Sequence, residues 1–338
     1  MAAAGDKAVL ADYNSTYNTA MAVLIQGSPG YGYGQYPYAF SSGVSTTTIL
    51  GSSEWNALRY DLFNIRAHQI GTNPAITVAA SAGNLISATD PTTFSAAIAT
   101  YDTDRGTAHT SRVTTSTNLN NGPVGGLISR TAAWRTSVQT IIRQQFVSGG
   151  SFGGSPNQIA QIFYNTGGAF KIAPSRTGGA TSAQNTAWTA LLTSVGTLSF
   201  GYSDYVNFYT NFVGAGWKSW YTKSDSAPYA LNSFNIEVQM VNPYTIDFRI
   251  TFVDLYADPS PGDDPAPDDI VDGTLSLNLS QQFNPGGHAL SPSPPARKWL
   301  GFTSTLSTQV NGDGSVYQPY VLPNYFEIKS GTWALIGS

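Results

Sequence analysis

The stretch "FNIEVQMVNPYTIDFRITFVDL", from Phe234 to Leu255, constrains this chain more than any other. Phe234, Ile236, Val238 and Met240 alternate with polar residues. After Asn242-Pro243, the residues Ile246, Phe248, Ile250 and Phe252 do the same. Successive side chains on a strand point to opposite faces, so a period of two describes two half-buried antiparallel strands joined by a turn. A lone hairpin buries too little to be stable, so the apolar face needs a second layer. "GTLSLNLSQQF" and "NYFEIK" read as further strands. The C-terminal part is therefore expected to be an antiparallel β-sandwich or jelly-roll-like domain.

Upstream the period changes. From Asp6 to about Ile25, Leu10, Tyr13, Tyr17 and Leu24 fall on one helical stripe. "GSPGYGYGQYPY" follows as a loop. A second helix is expected from Ser52 or Ser53 as N-cap, with Glu54 at its positive end and Gly71 and Pro74 beyond its C-terminus. A third starts with Asp90 as cap and Pro91 at N1, with Phe94, Ile98 and Tyr101 on one face. A longer helix is predicted over 126–146, aligning Leu127, Trp134, Val138 and Ile141. "SGGSFGGSPN" then breaks the pattern and places a boundary at about residue 150. "IAQIFYNTGGAFKI" predicts a hairpin around Gly167-Gly168, and "SAQNTAWTALLTSVG" a helix stopped at Gly196. The fold class is thus α+β: a helical assembly or attachment domain over 1–150 and a mainly β domain over 151–338.

Composition narrows the function. In 338 residues the formal charge is −4 and charged residues make up 11 %, against about 25 % in ordinary soluble domains. No basic stripe is present, which argues against nucleic-acid binding. The absence of cysteine excludes thiolate nucleophiles, disulfides and Cys-based zinc sites. "MAAAGDKAVLADYNSTYN" has no basic region followed by an apolar run, so no secretory leader is expected, and no apolar stretch approaches the ~20 residues of a membrane span.

Catalytic patterns are sparse. His68, His109 and His288 lie far apart without metal-ligand spacing. No Gly-x-Ser-x-Gly elbow or phosphate-binding loop occurs. A glycosidase needs paired carboxylates, for which Glu54, Glu237, Glu327, Asp247 and Asp254 are candidates. Glu237 and Asp247, however, fall on the polar face of the hairpin, where solvated or cross-strand roles prevail. Asp258, Asp263, Asp264, Asp268, Asp269 and Asp272 crowd one loop. Such oxygen ligands suit calcium, but the EF-hand spacing is missing and the prolines favour an extended solvated loop. No other cofactor is implied.

Two clusters are candidates for contact. The aromatics of "FGYSDYVNFYTNFVGAGWKSWYTK", with Tyr202, Tyr205, Trp217 and Trp220 among them, either stack on a glycan or form core and subunit interface. The second is the helix at "SSEWNALRYDLFNIRAHQIG". With Trp55 at heptad position a, Leu58 is d, Leu62 a, Ile65 d and Gln69 a. Glu54 and Asp61 fall at g, Arg59 and Arg66 at e, so charges of opposite sign meet across a parallel coiled coil. The same stripe also describes an ordinary amphipathic helix packed on its own domain.

The order of motifs carries a resemblance. Tyr17-Asn18 leads through Leu24 and Gly27 to Gly32-Tyr33-Gly34-Gln35, then to Trp55…Leu58-Arg59…Asp61…His68-Gln69…Gly71. "IFYNTGGAFKI", "NTAWTALLTSVGT" and "DDIVDGTL" follow. This order, over most of the chain, resembles structural proteins of tailed bacteriophage virions, particularly those of phages infecting cyanobacteria. The resemblance implies a non-enzymatic virion component assembled in the host cytoplasm. It would be an oligomeric fibre or a collar, neck or tail appendage, expected as a homotrimer contacting other virion proteins. It carries over no active site. A receptor-binding protein for host glycan and a polysaccharide depolymerase are the alternatives.

Overall fold

The hairpin at 234–252 forms as its alternation dictates. In the computed structural model, β7 (Ser233–Asn242) pairs antiparallel with β8 (Thr245–Val253), with Ile236 opposite Ile250 and Val238 opposite Phe248. All eight alternating apolar side chains are buried. Each contributes about 1.5–3 kcal/mol by leaving water, and a one-residue slip would turn the whole set outward, so the register is fixed.

The structure describes residues 10–22, 43–45, 50–70, 89–104, 113–116, 127–148, 155–165, 167–255 and 270–283, with short strands at 302–303, 309–310, 316–317, 320–321, 324–330 and 334–335. Its architecture is α+β, with N-terminal helices followed by antiparallel sheets. The helices α1 (Leu10–Met21), α2 (Ser52–Ile70) and α3 (Thr89–Thr103) pack around Tyr13, Trp55, Leu58, Leu62, Phe94 and Ile98. The expected "GYGYGQ" loop, Leu24, Gly71 and Pro74 lie outside the described residues, as does the Pro-rich "SPSPPARKW".

Two sheets build the rest. One includes β1 (Val113–Ser116), β2 (Leu127–Arg130), β4 (Ala169–Thr177), β5 (Leu198–Phe200), β9 (Thr274–Phe283) and β15 (Ala334–Leu335), in the order β15-β2-β9-β4-β5, with β1 also on β9. β1 and β2 lie end to end on the same edge of β9, opposite β4. The other sheet runs β14-β3-β8-β7-β6, adding β3 (Val138–Phe146), β6 (Lys218–Ser224) and β14 (Asn324–Ser330). Short pairs join β10 (Phe302–Thr303) to β13 (Tyr320–Val321) and β11 (Gln309–Val310) to β12 (Val316–Tyr317). The two large sheets face each other across rings. Phe248 of the second meets Phe170 and Phe200 of the first at centroid distances of 4.8 and 5.2 Å. One apolar cluster unites both inner faces, a sandwich.

Two expectations are overturned. The helix predicted over 126–146 is two strands, β2 and β3. Val138, Thr140, Ile142, Gln144 and Phe146 point inward, whereas the helical alignment of Ile141 leaves that residue half-exposed on the outer face. Thr140, Ile141 and Ile142 are β-branched and favour the pleated conformation. Inward Gln144 hides the alternation, and its carbonyl is satisfied by the Tyr164 hydroxyl at 2.6 Å. Chain on both sides of residue 150 thus contributes to the same two sheets.

The hairpin predicted at Gly167-Gly168 is instead a helix-to-strand turn from α4 (Pro156–Asn165) into β4. Ile159, Ala160, Phe163 and Tyr164 have helical spacing and are all buried. Pro156 at N1 after Ser155 marks the start. Gly168 is obligatory, because a Cβ there would lie 2.4 Å from the Phe163 carbonyl oxygen.

The helix stopped at Gly196 is present as α5 (Ala183–Val195). Ser182 caps it by accepting the Asn185 N–H at 3.1 Å, and Gly196 ends it at φ 65°. It covers the sandwich near Phe252, where Trp188 meets Trp134 and Phe252. The opposite end is closed by α4 and α6 (Tyr202–Asn211), through Tyr164 stacked on Tyr205 at 4.2 Å.

Candidate functional site

The first three positions of the expected α2 seam are covered within the chain. Trp55, Leu58 and Leu62 are buried by α1 and α3; Trp55 lies 5.1 Å from Tyr13, edge to face, and 5.6 Å from Phe94, stacked. Two of its charges bond within the chain. Arg66 bonds Asp104, just beyond the end of α3, at 2.5 Å and lies over the Tyr101 ring. Glu54 accepts the Gly51 N–H at 2.8 Å, which makes Gly51 the N-cap in place of Ser52 or Ser53. Asp61 is buried and Arg59 half-buried. Burial, then the negative charges of Glu54 and Asp61, hold the Tyr13 phenol well above its ordinary range. The side chains of Ile65, Gln69 and His68 lie outside the described residues, as do His109 and His288. Trp55, Leu58 and Leu62 are therefore part of the core of a helical cluster, a use of this face that the heptad pattern could not separate from a seam.

The aromatic run is divided between core and surface. Tyr205 is fully buried, with its hydroxyl donating to the Pro243 carbonyl at 2.9 Å. Burial drives its phenol well above the ordinary value. That removes it as a glycan platform. Trp220 sits at a register shift of β6 and turns inward against Phe200, and its Nε1–H donates to Asp204 at 2.9 Å. Tyr202 is half-buried in the first turn of α6. Of the four, Trp217 is the one that meets the charged sheet face, with the Arg249 guanidinium 4.5 Å from its ring centroid.

That outer face is the best candidate site. Cross-strand register aligns Glu327, Arg143, Asp247 and Gln239 in one row, and Ile141, Arg249, Glu237 and Ser219 in the next. Arg143 grips Asp247 with Nε on Oδ1 at 2.7 Å and Nη2 on Oδ2 at 2.8 Å. Arg249 donates through Nε to Glu237 at 2.6 Å. Lys329 and Glu327 pair at 3.3 Å. Three cations and three anions make the face electrically neutral. Planar guanidinium, amide and carboxylate groups beside an indole suit a neutral hydroxyl-rich or protein surface. The face is poorly suited to a polyanion.

No family model, no curated protein and no solved structure matches this chain.

A second polar cluster ties α5 to the ends of the acidic segment. Asp272 accepts from the Ala180 N–H at 3.0 Å, from Asn185 at 2.6 Å and from Arg176 at 3.3 Å. The Ala180 N–H, with Asn185 and Arg176 adding to it against partial burial, holds the Asp272 carboxyl below the ordinary range. Burial lowers the Arg176 guanidinium, and Asp272 opposes that shift. Gly179 must be glycine here, since a Cβ would fall 2.3 Å from Asp272 Oδ1 at φ 83°. Gln184 donates to buried Asp254 at 3.1 Å. Asp272, in the loop read as extended and solvated with calcium as the lesser alternative, is a hydrogen-bonded anchor. Asp258, Asp263, Asp264, Asp268 and Asp269 lie outside the described residues. Among the described residues no group of three or more acidic or histidine side chains could hold a metal ion.

Proposed function

We infer that the chain is a non-enzymatic structural protein of a tailed-phage virion. It acts as an oligomeric fibre, collar, neck or tail component. The resemblance in the order of its motifs supports this reading, and the carboxylates carry it. A glycosidase needs a carboxyl free to pass a proton to the leaving oxygen. Both Asp247 oxygens accept from Arg143, and Glu237 accepts from Arg249. These acids cross-link strands. On this reading the sandwich serves to present surface.

Self-association, as a trimer, belongs to the same reading. Trp55, Leu58 and Leu62 are enclosed within the chain, so self-association uses surfaces beyond these three residues. Light scattering on the purified chain tests it: a mass of several chains is expected, and a monomer at all concentrations would overturn it.

Host-glycan binding is the second reading, favoured by Trp217 beside Arg249 on the neutral sheet face. Binding to cell-envelope polysaccharide that Trp217→Ala removes would move it ahead.

A further inference from the structure

A groove of about 440 Å³ lies between the exposed face of α5 and the turn that joins β6 to β7. Ala183, Ala187 and Ala190 form one wall; Ala227, Pro228 and Tyr229 form the other. Small and apolar walls suit an unbranched aliphatic chain. The helix-side hydroxyls are engaged with their own backbone. Ser182 accepts the Asn185 N–H, and Thr186 donates to the Ser182 carbonyl.

One charge enters this lining, Asp225. Its N–H donates to Asn232 at 2.9 Å, which fixes the turn, and its Oδ1 accepts the Ser226 N–H at 2.8 Å. Its Oδ2 is buried and has no hydrogen-bond partner among the described residues. Burial raises the carboxyl above its ordinary range, and the Ser226 N–H offsets this in part. The nearest lysine in sequence, Lys223, is directed to the Ser194 carbonyl at 2.9 Å. Among the described residues no cation pairs with this carboxylate. Leu231 and Leu255 add exposed apolar surface at the same end. They are 59 % and 58 % exposed, and the Leu255 N–H bonds the Asn232 side chain next to Leu231.

We propose that this groove receives a lysine side chain from a partner protein, with the aliphatic stem between the alanine and Pro228-Tyr229 walls and the ammonium on Asp225. Lysine combines an apolar stem with a charged head, the two features that the groove complements. Leu231 and Leu255 are the apolar rim that a partner backbone would cover.

The test is amide chemical-shift titration of the full chain with N-acetyl-lysine-N-methylamide. The norleucine analogue, which lacks only the ammonium, is the control. Saturable shifts at 183–190 and 225–229 are expected, with the lysine probe binding about tenfold more tightly. Asp225→Asn should equalise the two probes, and Ala187→Leu, which fills the groove and keeps the acid, should remove both. Equal binding of the two probes to the unmodified chain would overturn the proposal in favour of a merely apolar groove. So would the absence of saturable shifts at these residues.

Discussion

Arg143 and Asp247 face each other across β3 and β8 and form two parallel hydrogen bonds, at 2.7 and 2.8 Å. Their side chains are 23 % and 9 % exposed, against 26 % and 35 % for Arg249 and Glu237. The less exposed pair is the less screened by water, so the two should differ in strength. Asp247→Ala is expected to cost about 1.5–3 kcal/mol, because it leaves a partly buried guanidinium without its acceptor. Glu237→Ala should cost about 0.2–1 kcal/mol. Urea unfolding of both variants checks the order.

The two sheets are held together by rings, and Phe248 is central. It touches Phe170, Phe200 and Trp220. Phe248→Ala should cost about 3–5 kcal/mol, because the surrounding rings can close only part of the cavity. A loss of under 1 kcal/mol in urea would contradict the sandwich core.

Trp55→Ala should unravel the helical cluster, at a cost of about 3–5 kcal/mol there, because it removes the ring between Tyr13 and Phe94. Far-ultraviolet circular dichroism should show helical signal lost at lower temperature. The near-ultraviolet signal of the sandwich aromatics, which belong to a separate cluster, should persist. Loss of assembly with helix content intact would revive the intersubunit seam.

Asp272 gives the pH dependence a sign. Its folded value lies below the unfolded one, so its contribution is present above about pH 4 and is lost as pH falls through the folded value. Asp272→Asn should flatten this part of the acid limb. Urea midpoints for both proteins at neutral and acid pH measure it, and an unchanged acid dependence would refute the role.

The sequence revealed elements wherever one period dominated. Phe234 to Phe252 has one face apolar and the other polar, and its strands, turn and inward residues were all legible. Ser182 and Gly196 likewise marked both ends of α5. The reading failed where two periods overlapped. Val138, Ile142 and Phe146 fit a helical stripe as well as alternate strand positions, because polar Thr140 and Gln144 occupy the inward places between them. Gln144 lies inside with its carbonyl accepting from Tyr164, a partner on another element. At 156–165 the aromatic and glycine content suggested a hairpin, although Ser155-Pro156 and the Ile159/Phe163 spacing were the stronger signal. The outer sheet face was half legible. Alternation placed Glu237 and Asp247 on it, but Arg143 joined them only through pairing across about a hundred positions. The groove at Asp225 had no local signature, since its walls come from separate elements.

Immunogold electron microscopy of purified phage particles, with antibody raised against this chain, tests the central claim most directly. Label is expected at one repeated position on the neck, tail or fibres of every intact particle. Particles free of label, with the antigen found only in the soluble lysate, would contradict it.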